Sequence, residues 1–181
     1  MAEPRNRYST VSLTLHWLTA ALVVTQVLLI NAHEANEDTR LFIDLHKSVG
    51  LTILVLTLAR LAWRAANPAI PLPERAPRWQ KLAARATHVL FYVLLLAMPL
   101  VGWAASSASG REINFFGLFE WPLLPIGGGR DVARDLMDLH ETAAKALYVL
   151  IALHVAGALK HHFIDRDNVL HRMLPFIPRR P

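Results

Sequence analysis

The sequence predicts an all-α integral membrane protein, a bundle of four transmembrane helices, and three observations carry this reading. Of the 181 residues, 54% are hydrophobic, and the mean hydropathy is +0.31, apolar for a soluble domain. The apolar residues gather in four segments, each near the ~20 residues that cross a ~30 Å hydrocarbon core. Lys and Arg are unevenly shared between the connections, as the positive-inside rule requires. Cysteine is absent. That excludes disulfides, thiolate-held iron–sulfur clusters and covalently attached haem, and leaves His as the strong ligand for a redox metal.

The first span is expected at about Val11–Ile30. It is longer than a signal-peptide core and no small-residue cleavage site follows it, so it reads as a retained helix. The second is expected at His46–Trp63, the third at Ala86–Ala105 and the fourth at Ala143–Leu159, or 140–160 with the polar His motif at its edge. Between the second and third, Asn67–Pro77 holds Pro68, Pro71, Pro73 and Pro77 and reads as an extended linker. The third connection, Ser106–Leu139, combines Phe115, Phe116, Phe119 and Trp121 with Gly127–Gly129. It reads as an interfacial loop over the outer mouth of the bundle, or equally as a plain aromatic membrane anchor. No internal repeat divides the chain, and residues 1–181 are expected to form one domain.

Charge sets the orientation. The N-terminal tail, the middle connection and the C-terminal tail carry Arg5, Arg7, Arg60, Arg64, Arg75, Arg78, Lys81, Arg85, Lys160, Arg166, Arg172, Arg179 and Arg180. These are 13 of the 19 bases, set against four acids, Glu3, Glu74, Asp165 and Asp167. Both termini are therefore expected on the cytoplasmic side. The net charge of +5 is scattered between apolar segments and does not form one polar face, which argues against nucleic acid as a partner.

Orientation turns position into depth. His140 and His154 are fourteen residues apart on the fourth span, within ~40° of each other around the helix and ~21 Å apart along it. Imidazole is costly in hydrocarbon, so such residues mark function by default. His46 and His140 fall in an outer layer; His16, His88 and His154 fall in an inner one. A six-coordinate b-type haem needs two imidazoles facing each other across a gap between helices. The outer pair is unambiguous. In the inner layer His154 is favoured by its stripe relation to His140, and His16 is preferred to His88 for the remaining place.

Small residues stand beside these histidines: Gly50 after His46, Gly157 after His154, Ala143 and Ala144 after His140. They would let a flat ring approach the backbone, although ordinary helix packing accounts for any one of them. Arg60 repeats the fourteen-residue spacing from His46 and reads either as a partner for a haem propionate or as a snorkelling base. His161 continues the stripe of His154 toward the cytoplasm and could serve a quinone carbonyl. His162 reads as interfacial, and His33 and His171 as solvated surface.

With these residues in place, the chain resembles the bacterial cytochrome b561 family. The similarity rests on His16-Trp17, Leu45-His46 with Gly50, Leu139-His140-Glu141, Leu153-His154, Ala158-Leu159, His161-His162, Asp167-Asn168 and Arg172-Met173-Leu174-Pro175. It covers essentially the whole chain and is strongest to the short, free-standing superoxide oxidase type. The resemblance implies two haem b groups in a four-helix bundle of the bacterial inner membrane, exchanging electrons with ubiquinone. It implies His16 and His154 as ligands of the inner haem, and His46 and His140 as ligands of the outer. It implies a quinone-side or supporting role for His88, and superoxide as a donor at the outer face.

The sequence holds no nicotinamide or flavin motif, so the donor is a small diffusing molecule or another protein. For an anionic donor Lys47 is the leading steering residue, with Arg111, Arg130, Arg134 and Lys145 as contributors; Asp131, Asp135 and Asp138 lie close in sequence and count against the arginines. Quinone is placed on the inner side, near His161 and His88, in preference to a site under the aromatic loop. Two other functions compete. In one, a periplasmic dehydrogenase or hydrogenase feeds electrons through the outer loop. In the other, a His-lined transporter moves metal ions, a reading weakened because no Asp or Glu lies mid-span.

Overall fold

The computed structural model describes residues 7–36 and 39–178. Arg5, Arg179, Arg180 and Glu3, used above to set the orientation, lie outside the described residues.

Helix α1 (Thr10–Ala35) starts at Ser9, whose hydroxyl accepts the Ser12 N–H at 3.2 Å, a side-chain cap for one of the otherwise unpaired donors of the first turn. Helix α2 (Leu41–Ala66) carries Asp44 in its first turn, where the helix dipole favours an anion. Helix α3 (Arg78–Ala108) begins directly after Pro77 and contains Pro99. Helix α4 (Gly129–Phe163) follows Gly128, whose φ of 111° suits glycine. All four are long and apolar enough to cross a membrane.

Each helix runs past its expected ends. The greatest excess is in α4, whose 35 residues span about 52 Å at ~1.5 Å per residue. That exceeds a bilayer of ~40–45 Å with its headgroups. The surplus is the polar start of α4, where Arg134 pairs with Asp131 at 2.9 Å and both are exposed.

Outward faces of the helices are apolar and exposed, among them Val24, Leu28, Val55, Leu58, Val93, Val149 and Leu153. These are lipid-facing positions. Hydroxyls within the spans are satisfied inside their own helices: Thr19 donates to the Leu15 carbonyl at 2.7 Å, Thr52 to Ser48 at 2.9 Å and Thr57 to Ile53 at 2.7 Å. A hydroxyl in hydrocarbon needs such a partner, and the carbonyl four residues back is the nearest. The tightest apolar cluster, Val49, Ile53 and Leu95 with Leu22, Val23, Leu29 and Phe91, joins α1, α2 and α3.

Helix α1 packs on α2, α2 on α3 and α3 on α4. The backbone of α4 does not pack closely along either α1 or α2. A seam therefore runs down the bundle between α4 and the first two helices.

Both ends are laced. At the end expected to face outward, β1 (Ile113–Phe115) and β2 (Phe119–Trp121) form an antiparallel hairpin, with Ile113 opposite Trp121 and Phe115 opposite Phe119. Ile113, 2% exposed, plugs it onto α2. The turn holds Phe116 and Gly117 at positive φ and presents Leu118, which is 76% exposed. At the opposite end, expected to face inward, the chain after α4 folds through a 3₁₀ turn, Leu170–Arg172. The Trp17 indole donates to the Met173 carbonyl at 2.9 Å, and Arg172 donates to that of Pro71 at 2.7 Å.

Candidate metal centres

The histidines meet across the seam. At the inner level the rings of His16 on α1 and His154 on α4 have centroids 6.4 Å apart. At the outer level His46 on α2 and His140 on α4 stand 6.1 Å apart. For two imidazoles on opposite sides of one metal, bonds of about 2.0–2.1 Å and roughly 1.1 Å from nitrogen to ring centre would put the ring centres about 6.3 Å apart. Both pairs lie close to that value, and both lie where the backbones leave room for a flat group. The residues fit a haem at each level.

His88 on α3 also reaches the inner level, 5.7 Å from His154. It is exposed, whereas His16 and His154 are half-buried. Phe91 completes the contact around His154 at 5.3 Å.

Arg60 lies at the inner level, with a guanidinium nitrogen 3.1 Å from Nδ1 of His16 and its charge over the Tyr92 ring at 5.7 Å. A guanidinium can only donate, so this contact needs a bare Nδ1. A neutral ring that binds metal through Nε2 carries its proton on Nδ1 instead. The two states exclude each other, and with metal bound Arg60 needs another acceptor. Among the described residues no carboxylate lies within ion-pair distance of it. A cation without an acid suits the carboxylate arm of a haem.

At the outer level His140 donates its Nδ1–H to the Met98 carbonyl at 3.1 Å, because a carbonyl can only accept. Its Nε2 is thereby left with a lone pair, the form that binds metal. Gly102 makes room for this ring: a Cβ there would stand 3.4 Å from both Cε1 and Nδ1 of His140. Several buried polar atoms nearby have no partner among the described residues, namely His46 Nδ1, Gln26 Oε1, His33 Nδ1 and Trp121 Nε1. The Gln26 amide nitrogen donates to the His46 carbonyl at 3.1 Å.

The glycines expected beside the ligands divide. A Cβ on Gly50 would come within 3.0 Å of the Gln26 amide, so Gly50 makes room for that side chain. A Cβ on Gly157 would meet nothing within 4 Å, so open space adjoins the turn after His154. Lys47 is 17% exposed and donates to the Glu112 carbonyl at 3.1 Å, with Asp44 at 3.9 Å. It therefore helps to hold the hairpin connection in place. His33, expected in solvent, is half-buried with Nδ1 sealed off, and His171 is within 2.6 Å of the Ile177 carbonyl.

His161 is bound into the inner cap. Its Nδ1 lies 2.8 Å from a carboxylate oxygen of the buried Asp167 and 3.4 Å from Asp165. The other Asp167 oxygen accepts the Val169 N–H at 3.0 Å, and Lys160 holds both oxygens of Asp165 at 2.7 Å. Ligand atoms of His161, Asp165 and Asp167 lie within 4.8 Å of one another, yet the protein itself already pairs these carboxylates. The Lys160 hydrogen bond holds the Asp165 carboxyl below its ordinary range.

Gln26, Met98 and Gly102 were missed from sequence, and Asp167 was noted there only as an acid and part of a motif, without its contact to His161. Gln26 carried a signal, as a lone amide inside an apolar span. Gly102 carried a weaker one, a glycine one turn beyond Pro99. Met98 carried none, since it acts through its backbone.

The sequence profile of the prokaryotic cytochrome b561 family matches residues 7–176. Cytochrome b561 homolog 2 of Escherichia coli K12 is 37% identical over 175 residues, covering 93% of this chain and 91% of that protein. Cytochrome b561 homolog 1 of the same organism is 32% identical over 94% of this chain and 98% of its own length. A protein of Yersinia pestis described as the probable superoxide oxidase CybB is 30% identical, over 93% of this chain and 96% of its own.

Proposed function

This chain belongs to the prokaryotic cytochrome b561 family, multi-pass membrane electron-transfer proteins of the inner membrane that carry b-type haem, and from that premise we propose that it is a superoxide:ubiquinone oxidoreductase with two haems. The observation that carries the reading is the pair of imidazole couples facing each other across one seam, at 6.4 and 6.1 Å. The similarity to the probable superoxide oxidase of Yersinia pestis supports the choice of donor.

His16 and His154 would hold the inner haem, His46 and His140 the outer. A b-type haem held by two imidazoles takes up and releases one electron at a time. The proposed reaction balances as two superoxide anions, one ubiquinone and two protons giving two dioxygen molecules and one ubiquinol. Superoxide oxidation needs no proton, so the outer face only has to attract an anion. Lys47 lies at this end, and Arg40 and Arg111 add positive charge within electrostatic reach of it. One of its three donors is used on the Glu112 carbonyl, which leaves others for the anion.

Quinone reduction consumes protons, and the inner side supplies groups to move them. Asp167 anchors Nδ1 of His161 and leaves Nε2 to exchange a proton with the quinone oxygen. His88, exposed beside His154, is a further contact for the quinone ring. Arg60 would turn from His16 to a haem propionate. Gly50 and Gly157 act through space, the first by seating Gln26 and the second by leaving the turn after His154 open. The charge bias supports a cytoplasmic location for both termini.

The deciding experiment has two parts. A reduced-minus-oxidised spectrum with a pyridine haemochrome count is expected to give two low-spin b haems per chain. Superoxide supplied to the purified protein with ubiquinone is then expected to yield ubiquinol at two superoxide per quinone. A di-haem protein inert to superoxide would replace the donor with a partner protein docking at the hairpin. A colourless protein would sink the whole reading.

A further inference from the structure

Both outer ligands present an imidazole to the seam, but they are held differently. His46 Nδ1 is buried without a partner among the described residues. His140 Nδ1 is bonded to a backbone carbonyl inside a neighbouring transmembrane helix. Such a carbonyl is normally engaged by the N–H four residues later, which for Met98 belongs to Gly102. Its second lone pair is free to accept another bond only if a donor can reach it.

Reach is the difficulty. Every Cα–Cβ bond in a helix tilts toward the N-terminus, so a side chain at residue 102 would lean back over the Met98 carbonyl. Gly102 has none. The ring of His140 occupies that ground, with Cε1 and Nδ1 each 3.4 Å from where the missing Cβ would stand. Pro99 lies in the same turn and has no N–H to give to Leu95, which loosens the helix there. A glycine in a helix interior costs about 1 kcal/mol relative to alanine, so its presence against a metal-ligand ring has a physical reason.

We propose that Gly102 and the Met98 carbonyl form a positioning device that fixes the ring plane and tautomer of His140 and thereby sets the ferric–ferrous balance of the outer haem. This deepens the di-haem reading and rests on it. An N–H bonded to a carbonyl makes the opposite nitrogen a stronger donor. A stronger donor favours the ferric state, which lowers the potential and makes the outer haem readier to pass its electron inward. Gly102 touches no reacting atom; it is a positioning residue that acts through His140.

The test uses the haem-loaded protein in detergent, with Gly102→Ala beside Gly127→Ala, a glycine of the third connection whose added Cβ would meet nothing. Potentiometric titration and low-temperature EPR of the ferric protein read each haem separately, with His154→Ala assigning the outer one. In Gly102→Ala the outer midpoint is expected to rise by about 59 mV, the one-electron equivalent of a tenfold change in equilibrium. Its EPR signal shifts as well, while the inner haem and Gly127→Ala match the parent. Loss of the outer haem alone also supports the proposal. Equal loss of both haems would overturn it, as would an outer midpoint and EPR signal identical to the parent's. If Gly102→Ala does not accumulate, ¹⁵N-histidine spectra of the reduced parent decide: the proposal requires an exchange-protected Nδ1–H on one outer ligand. A parent without two bis-histidine haems would show that the underlying reading is wrong, whatever the variants do.

Discussion

The Ser48 hydroxyl, 0% exposed, sits 2.9 Å from the Asp44 carbonyl and 3.0 Å from that of Asn114, and accepts the Phe116 N–H at 3.1 Å. One small side chain thus ties the outer hairpin to α2 two residues after His46. Ser48→Ala leaves the Asn114 carbonyl and the Phe116 N–H unpaired beneath the aromatic cover, at a cost of about 1–3 kcal/mol. The expected outcome is faster hydrogen exchange through 113–121 with the two proposed haems retained; unchanged exchange would deny the tie. Five histidines stood out in the sequence because an imidazole at membrane depth contrasts with its surroundings, while the choice of His16 over His88 rested on the family resemblance. Ser48 could not be singled out. It reads as an ordinary small residue until the chain brings in partners more than sixty positions away, and the same holds for Gly102 against His140.

Helix α4 carries one proposed ligand for each proposed centre on an unbroken backbone, so the relation between the two levels is set by helical geometry alone. One Ala inserted after Leu147 would rotate His154 by ~100° and move it by ~1.5 Å relative to His140. The inner haem should be lost and the outer kept, giving one haem per chain in the pyridine haemochrome count; two would show that the helix absorbs the insertion. The cap after α4 should respond to acid. Because Asp165 is held below its ordinary range by Lys160, its stabilising effect is complete above the unfolded value of ~3.9 and fades as pH falls through the lower folded one. Fluorescence of Trp17, which is bonded to this cap, should change in that acid window and stay flat from there to neutrality. A transition centred near neutral pH would assign control of the cap to another group. Hydropathy located the membrane-depth part of each helix but not its extent. The polar start of α4 lies in water, where an apolar-window criterion has nothing to detect, and the three-residue strands are too short for alternation to register.

For the whole molecule, the number of helices and the two levels of histidine could be read from the sequence, since both follow from the bilayer as solvent. Which helices touch could not. Hydropathy ranks segments by depth and is silent about neighbours, so the close α1–α2 and α3–α4 pairs and the open seam beside α4 emerge only in three dimensions. That seam bears on how the protein is made. The chain amounts to two helical hairpins joined through α2, α3 and the linker 67–77, and across the seam the imidazole couples stand in for helix packing. A group bound by both hairpins and by neither alone stabilises the assembled form in proportion to its supply. Haem would then be the last structural part to arrive, a clasp that turns an inserted chain into a closed one. Cells starved of haem should accumulate chain that is cut by protease in the 67–77 linker, and adding haem to those membranes should restore resistance; equal resistance with and without haem would mean that the bundle closes by itself.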